Sequence, residues 1–297
     1  MSRGRRGTGP DGLVVVDKPA GWTSHDVVDR VRRLAGTRRV GHAGTLDPMA
    51  TGVLLVGVEK ATRLLGHLAT ADKAYDATIR LGRSTLTDDA EGEVTAEASA
   101  AEVTDAQVRA AVSDLTGTLA QVPSSVSAVK VEGRRAYARV RAGETPALEA
   151  RPVVVSAFTV HALRRAGDLL DVDVSVVCST GTYVRALARD LGAVMEVGGH
   201  LTRLRRTRVG SFTLEAACTL DGLAERFDVL PLADVVATAF PRRDVGEDDA
   251  RRVAHGGRLP AAGLGPGPVG VFGPDGALLA LVEESDGLAL PLAVFVG

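Results

Sequence analysis

Residues 41–52, Gly-His-Ala-Gly-Thr-Leu-Asp-Pro-Met-Ala-Thr-Gly, hold a single carboxylate in a glycine-rich segment. Glycine lets a backbone approach a ligand closely, and Pro48 fixes its own φ and restricts Asp47 to an extended or turn geometry. A stiff loop that presents one acid suits a nucleophile or a general base. Asp-Pro is also common in ordinary turns, so the spacing alone leaves a purely structural role open.

The segments on both sides of this loop indicate how it is positioned. Residues 12–17 and 52–58 are short apolar runs rich in β-branched side chains, which predict two buried strands. Between them Ser24 can cap a helix that ends at Ala35, with Gly36 just beyond its end. The loop is therefore expected between a helix and a buried strand.

The rest of the chain alternates between predicted strands and helices. Further strands are predicted at 73–82, 152–163, 169–178 and 201–214, and further helices at 61–68, 104–115, 134–142 and 181–195. The acidic stretch 84–101 has no period and is interpreted as a loop. Because a short turn joins 152–163 to 169–178, these runs predict a hairpin. The fold class is therefore α+β, with a mixed, mainly antiparallel central sheet flanked by helices.

The composition changes along the chain and predicts its domains. After Pro231 many glycines and prolines separate short apolar runs. We expect a disordered basic tail at 1–10, a main domain at 11–237 with an inserted segment at about 121–150, and a small C-terminal β module at 241–297.

Composition also narrows the class of protein. Of the 297 residues, 45% are hydrophobic and 24% charged, as in a globular protein. Cys178 and Cys218 make no disulfide framework, so we expect a reduced, cytoplasmic location. The Arg-rich residues 1–10 are not followed by an apolar segment and are not read as a signal peptide. No apolar run reaches membrane-spanning length, so no membrane association is expected.

The net charge of −2 conceals strongly basic and acidic stretches. Four arginines fall within six residues, at positions 203, 205, 206 and 208. A local positive field attracts a polyanion even to a nearly neutral protein, so this run suits nucleic-acid phosphates better than an ordinary solvated face.

Several familiar catalytic motifs are missing from the sequence: a P-loop, a strand-associated G-x-G-x-x-G, H-E-x-x-H and G-x-S-x-G. His42 and Asp47 would give a metal only two ligands, too few for zinc. Nucleotide hydrolysis and zinc-dependent hydrolysis are therefore not expected, and no metal is predicted.

A series of motifs along 13–212 resembles the TruB family of bacterial tRNA pseudouridine synthases, in which the acid of Gly-Thr-Leu-Asp-Pro is the nucleophile. That motif is residues 44–48 here, and the other similar segments are 17–21, 73–75, 81–88, 121–143, 178–185 and 200–212. The segment from Gln121 is similar to an inserted, RNA-gripping thumb, although Ser124 and Val126 stand where the family usually has Pro and Tyr.

The resemblance implies a pseudouridine synthase fold with a PUA-like C-terminal RNA-binding module. The implied reaction is isomerisation of uridine at tRNA position 55, in the T loop, with no redox change and therefore no cofactor. Asp47 would attack either C6 or C1′ of a flipped-out nucleotide, and Arg185 would keep it ionised. Tyr75 would stack on the base and assist proton transfer. A surface arginine and a core aromatic are the plainer alternatives for Arg185 and Tyr75.

The resemblance also implies further substrate contacts. His42 would be a wedge that fills the place of the flipped base, and Tyr183 and Leu204 would line the pocket. The cations expected at phosphates are Lys18, Lys130, Arg205 and Arg206, of which the two lysines could instead brace the loop. Because the chain carries its own thumb, we expect a stand-alone monomer that binds the T stem-loop of tRNA without an obligate protein partner, with a secondary role in tRNA folding.

Two other functions remain open at this point. A non-catalytic RNA-binding protein would use the same surface but would have no turnover for Asp47→Asn to abolish. A hydrolase with an aspartate nucleophile and a small anionic substrate would need neither thumb nor arginine strand. Its substrate binding would show little of the steep salt dependence of RNA binding.

Overall fold

A nine-stranded sheet organises the larger part of the chain. The computed structural model describes residues 9–124 and 148–296, and between them only the backbone of 130–131 and 134–135. In chain order the strands are β1 (Gly12–Lys18), β2 (Val40–Ala43), β3 (Thr51–Val58), β4 (Lys73–Leu81), β5 (Arg83–Thr85), β6 (Val94–Glu97), β7 (Gly117–Gln121), β8 (Lys130–Val131), β9 (Arg134–Arg135), β10 (Arg151–Ala166), β11 (Leu169–Cys178), β12 (Gly199–Val209), β13 (Phe212–Thr213), β14 (Arg242–Asp244), β15 (Leu259–Pro260), β16 (Pro268–Phe272), β17 (Leu278–Ser285) and β18 (Leu288–Val294).

The order across the large sheet is β1–β3–β12–β4–β11–β10–β7, with β2 paired to β3 and β13 to β12. Among its described strands only the contact between β3 and β12 is parallel. The helices are α1 (Ser24–Ala35), α2 (Leu65–Leu68), α3 (Asp105–Asp114), α4 (Val184–Val194), α5 (Leu220–Glu225), α6 (Leu232–Ala239) and α7 (Glu247–Ala254). The predicted α+β class with a mainly antiparallel sheet is confirmed.

Strands β1 and β3 are covered on both faces, which explains why they are continuous apolar runs. Val14 and Leu54 lie on the face that packs against α1, α3 and α4. Leu13 and Leu55, one residue earlier or later on the same strands, lie on the face that packs against α2 and α6. Side chains alternate between the faces of a strand, so each strand contributes to two cores.

Helix α1 begins at Ser24, so its N-cap is Thr23, one residue before the expected cap. Thr23 has the extended backbone of an N-cap, accepts a hydrogen bond from the Asp26 amide and forms a capping box with the Asp26 carboxylate. Gly36 ends the helix with φ of 65°, as predicted. Ser24 is not the cap, and its hydroxyl is free to contact the Asp47 loop.

Other predicted elements differ from the structure. The stretch interpreted as an acidic loop contains the paired strands β5 and β6. The predicted helix 61–68 is a 3₁₀ turn, Glu59–Arg63, followed by the single turn α2. Arg134 and Arg135 begin the predicted helix 134–142 but pair as β9 with β8, and the remainder of that prediction lies outside the described residues.

The C-terminal strands form a second sheet in the order β14–β16–β17–β18–β15. Its end is attached to the 3₁₀ turn that follows β3, because Lys60 Nζ donates to the Phe295 carbonyl at 3.0 Å and Arg63 Nη1 to the Val294 carbonyl at 2.7 Å. Phe295 packs into the core that contains Leu13. None of the helices in the described part of the chain could span a membrane.

Candidate active site

The loop that carries Asp47 is held by its own backbone and by α1. The Ala50 amide donates to the Asp47 carbonyl at 3.1 Å, which closes a tight turn around Pro48. The buried Ser24 hydroxyl donates to the Leu46 carbonyl and accepts from the Leu46 amide, at 3.0 and 2.8 Å. This turn presents the Asp47 carboxylate while Leu46 and Ala50 stay buried.

Two buried cations hold the carbonyls of the same loop. Lys18 Nζ donates to the carbonyls of Pro19, Trp22 and Pro48, and burial lowers the pKa of Lys18 to about 8. Lys18 is 0% exposed, so the structure places it as a brace of the loop and not as a phosphate contact.

Arg206 has a similar place on the other side of the loop. Its guanidinium donates to the carbonyls of Gly44, Thr45 and Val53, and the residue is 1% exposed. The structure therefore shows Arg206 as a buried brace of the loop, and the phosphate contact expected of it stays a prediction. On β12 Arg206 shares a face with Leu204, because alternation turns residues two apart to the same side.

Arg185 lies at the first turn of α4 and pairs with Asp47. Its Nε is 3.0 Å from Asp47 Oδ2, and its Nη2 is 3.4 Å from Oδ1. The arginine side chain is 5% exposed, whereas that of Asp47 is 35% exposed. The guanidinium is therefore fixed inside the protein, and the carboxylate remains reachable from solution.

A second carboxylate, which the sequence analysis did not single out, supports Arg185 from behind. Asp89 Oδ2 lies 3.6 Å from Arg185 Nη1, and the Asp89 side chain is 4% exposed. The same Nη1 donates to the Thr87 carbonyl at 2.8 Å and the Ser124 hydroxyl at 3.1 Å. In the sequence Asp89 directly follows the Thr-Leu-Thr-Asp segment of one of the quoted motifs, and this position is the signal that could have pointed to it. These contacts fix the arginine so that it faces Asp47.

The predicted aromatic and apolar residues come from three separate elements. Tyr75 on β4 is 7% exposed, and burial raises the pKa of its hydroxyl. On the adjacent β12, Leu204 lies opposite Ala77, and Arg206 opposite Tyr75. Tyr183 is the residue before α4, and the Gln121 side-chain amide binds both its backbone N–H and its carbonyl, at 2.8 and 3.1 Å.

These residues surround one cavity of about 270 Å³, here called the Asp47 cavity. Of the predicted site residues, its wall contains Asp47, Tyr75, Tyr183, Arg185, Leu204 and Arg206. Its wall also includes Lys73 and Thr180, for which the sequence analysis assigned no role although both lie inside the quoted motifs. A volume just below the usual range of ligand pockets, roughly 300–1,000 Å³, fits one nucleotide unit.

His42 lies outside this wall, on β2. It is half-buried, and the exposed His25 ring approaches it edge-on with 6.3 Å between the ring centroids. Burial first, then the charges of His25 and Arg206, lower the pKa of His42. The ring is therefore neutral at physiological pH. A neutral ring can stack on a base, because stacking requires no charge. The side chain of Lys130 lies outside the described residues.

The remaining arginines of β12 are largely paired within the protein. Arg205 contacts both carboxylate oxygens of Asp17, at 3.0 and 2.8 Å, on the face opposite Leu204. Arg208 pairs with Asp72 at 2.7 Å, and Arg203 is exposed. Arg205 lines a second cavity, of about 440 Å³, with Asp17 and Trp22. Asp17 and Asp72 therefore offset part of the positive charge that this arginine run was expected to offer to phosphates.

Within the described residues no three His, Cys, Asp or Glu side chains cluster as a metal site would require. The chemistry that the Asp47 cavity offers is that of an ionised carboxylate beside a guanidinium and a buried phenol. Such a set can supply a nucleophile and a proton donor or acceptor to one planar ring.

Comparison with known proteins identifies the family. The TruB family pseudouridylate synthase N-terminal domain matches residues 32–184, the tRNA pseudouridylate synthase B C-terminal domain 185–230, and the tRNA pseudouridine synthase II C-terminal domain 240–296. The chain is similar to the tRNA pseudouridine synthase B of Thermobifida fusca, at 62% identity over 97% of this chain and 99% of the relative. It is also similar to that of Streptomyces griseus, at 59% identity over 97% of this chain and 98% of the relative.

A solved structure agrees with this result. A chain of a Cbf5–Nop10–Gar1 complex matches with a TM-score of 0.73 and 26% identity, over 96% of this chain and 84% of that chain. The resemblance found in the motifs is thereby confirmed: the chain belongs to the TruB family of pseudouridylate synthases.

Proposed function

We propose that this enzyme isomerises uridine to pseudouridine at position 55 in the T loop of tRNA, with Asp47 as the nucleophile. The tRNA substrate is supported by the names of relatives that match nearly the whole chain. The single observation that carries the mechanism is the contact of the half-exposed Asp47 carboxylate with a buried, fixed guanidinium.

The arrangement accounts for an ionised nucleophile in a secluded site. Loss of water disfavours a charged carboxylate, and a guanidinium about 3 Å away favours it. Arg185 is held by Asp89, Thr87 and Ser124, so it does not need to reorganise when substrate enters. Asp47 can then form a covalent bond to C6 of the base or to C1′ of the sugar.

The reaction balances without a cofactor. The N1–C1′ bond breaks, the ring turns, C5 joins C1′, and the bond to Asp47 is broken, which returns its carboxylate. The proton on C5 is finally lost while N1 gains one. Tyr75 supplies a ring that can stack on the uracil and a hydroxyl that can take part in the proton transfer. Leu204 and Tyr183 complete the wall and confine the ring while it turns.

A uridine in folded RNA must leave its stack to enter this cavity. The His42 ring is neutral, half-buried and outside the cavity wall. We propose that it occupies the place in the RNA stack that the flipped base leaves. We assign the RNA grip to the thumb insertion at about 121–150, including Lys130, and to the C-terminal module at 241–297. With these parts in one chain, the enzyme acts as a monomer on the T stem-loop, without a guide RNA.

The decisive experiment uses an unmodified tRNA transcript and the purified protein. Pseudouridine should appear at position 55 with the wild type, and Asp47→Asn should abolish turnover while keeping tRNA affinity. Asp228→Asn is the matched control, because Asp228 also pairs with an arginine, Arg226, but lies outside the Asp47 cavity, the thumb and the C-terminal module. Its turnover should match the wild type.

Other outcomes would redirect the proposal. Tight tRNA binding without pseudouridine would indicate a non-catalytic RNA-binding protein. Pseudouridine at another position would leave the chemistry intact and overturn the T-loop assignment. Full turnover by Asp47→Asn would remove the nucleophile from the mechanism.

A further inference from the structure

Lys73 is a cation in the wall of the Asp47 cavity, two residues before Tyr75 on β4. Because side chains alternate along a strand, both point to the same face. Lys73 is 6% exposed, and its Nζ donates to the carbonyls of Ala69 and Ala71, at 2.9 and 2.6 Å. Within the described residues these bonds use two of its three N–H donors, so one remains for a ligand.

The surroundings of Lys73 place it next to the open edge of the cavity. Thr180 is exposed, lines the same cavity and donates its hydroxyl to the Ala69 carbonyl at 3.0 Å. The carbonyl that holds Lys73 is therefore also attached to the rim. A flipped nucleotide inserts its base and leaves its phosphates with the RNA strand outside. A cation at the rim therefore lies near the path of the sugar–phosphate backbone.

Lys73 also differs from Arg185 in the charge of the groups that hold it. Arg185 is paired with carboxylates, whereas Lys73 is held by neutral carbonyls. A Cβ on Gly44 would lie 3.5 Å from Lys73 Cε and 3.6 Å from Arg206 Nη1, so this glycine separates two cations. Among the described residues no carboxylate is hydrogen-bonded to Lys73. A bound anion would therefore compensate the buried charge of its ammonium group.

The protonation of Lys73 reflects this arrangement. Burial, and then the neighbouring Arg206 guanidinium, lower the pKa of Lys73 to about 8. The Cys178 thiol on β11 and the Asp72 carboxylate before β4 act in the opposite direction. Below about pH 8 the free enzyme therefore carries an ammonium here, and above it a neutral amine.

We propose that Lys73 binds a non-bridging oxygen of one phosphate that flanks the flipped uridine. This inference rests on the proposed function and adds a substrate-binding residue to it. The contact is a charge-assisted hydrogen bond between an ammonium and a phosphate, of a strength that changes affinity roughly 10-fold or more. Lys73 would thereby fix the sugar of the target nucleotide relative to Asp47.

The test replaces phosphates of the substrate. T stem-loop RNAs would carry a single neutral methylphosphonate on the 5′ or the 3′ side of the target uridine. Single-turnover pseudouridine formation at increasing enzyme concentration gives the half-saturating concentration and the maximal rate for each. One of the two methylphosphonates should raise the half-saturating concentration of the wild type about 10-fold or more.

The matching protein change is Lys73→Met. It should weaken binding of the unmodified RNA by a similar factor. The methylphosphonate that weakens binding to the wild type should then cause no further loss, because both changes remove the same contact. Lys73→Arg should restore most of the affinity. Lys60→Met is the control, since Lys60 also donates to a backbone carbonyl but lies outside the cavity, and it should respond to the methylphosphonate as the wild type does.

Opposite results overturn the inference. If the methylphosphonate that weakens binding to the wild type weakens binding to Lys73→Met by the same factor, Lys73 does not bind that phosphate. Pseudouridine formation by the wild type would still support the proposed function. If the wild type forms no pseudouridine, both fail.

A pH series on the wild type provides a test that does not depend on the folding of a variant. From pH 7 to 9.5 the half-saturating concentration should rise for unmodified RNA, as Lys73 loses its proton. It should rise less for the RNA with the methylphosphonate that weakens binding to the wild type. Equal pH profiles for the two RNAs would contradict the phosphate contact.

Discussion

The Gln121 side chain binds both backbone groups of Tyr183: its amide nitrogen donates to the Tyr183 carbonyl at 3.1 Å, and its oxygen accepts from the Tyr183 amide at 2.8 Å. Gln121 is the last residue of β7, and Tyr183 immediately precedes α4. This pair therefore joins the end of an outer strand to the segment that presents Tyr183 and Arg185 to the cavity.

Gln121→Leu removes this clamp and leaves two partly buried backbone groups without their partner. We expect a loss of roughly 1–3 kcal/mol in the free energy of unfolding and slower single turnover, because Tyr183 and Arg185 become less fixed. Urea unfolding and rapid-quench kinetics measure the two effects. Gln107→Leu, which removes an exposed capping side chain of α3, should lower stability with little effect on the rate.

Asp89→Asn tests the support behind Arg185. A buried arginine that loses one of its carboxylates is held less firmly, so we expect a loss of roughly 1–3 kcal/mol in stability and turnover reduced at least about 10-fold. The control is Asp190→Asn, which removes the partly exposed partner of Arg189 and should cost below about 1 kcal/mol. Unchanged turnover in Asp89→Asn would show that Asp47 and the backbone suffice to place the arginine.

Gly52→Ala tests the close packing of β3 against β12. Gly52 has φ of +99°, and a Cβ there would lie 2.2 Å from the Arg206 carbonyl oxygen. We expect a loss of at least about 2 kcal/mol, measured by urea unfolding, since both the backbone conformation and the contact are unfavourable. Gly66→Ala in α2 is the control, because nothing lies within 4 Å of its Cβ position, and its stability should not fall.

Glu284 gives the C-terminal sheet a pH dependence. Backbone hydrogen bonds from Ala262, Gly263 and Leu264 hold the pKa of the Glu284 carboxyl below its usual value of 4.5. An acid with a lowered folded-state pKa stabilises the fold above its unfolded pKa and loses that contribution as the pH falls through the folded value. Between pH 6 and 3 the stability of the wild type should therefore fall more steeply than that of Glu284→Gln, and parallel curves would contradict this assignment.

The elements nearest the site were the easiest to predict. Strand β4 alternates between apolar and polar residues, and its observed limits agree with that pattern within one residue. The turn at Gly167 determines the β10–β11 hairpin in the same way. In both cases the sequence near the element carries its own period and turn signal, so distant contacts are not needed to recognise it.

Features that depend on distant partners were missed. Arg206 looked like one more exposed cation of a basic run, but its position two residues after Leu204 turns it inward, and the loop carbonyls of Gly44 and Thr45 satisfy it. Asp89 acquires its role only when α4 places Arg185 against it. Strand β6 is exposed along its whole length and β5 has only three residues, so the pair lacks the apolar alternation by which strands are recognised.

The core shared by Leu13 and Phe295 affects how this protein is made. A ribosome delivers β1 long before Phe295, so during translation the apolar face of β1 packs against α2 and α6 but lacks the part of its core that the C-terminal sheet supplies. Nascent chains stalled before Phe295 should consequently recruit holdase chaperones, whereas chains extended past it should bury that face and release them.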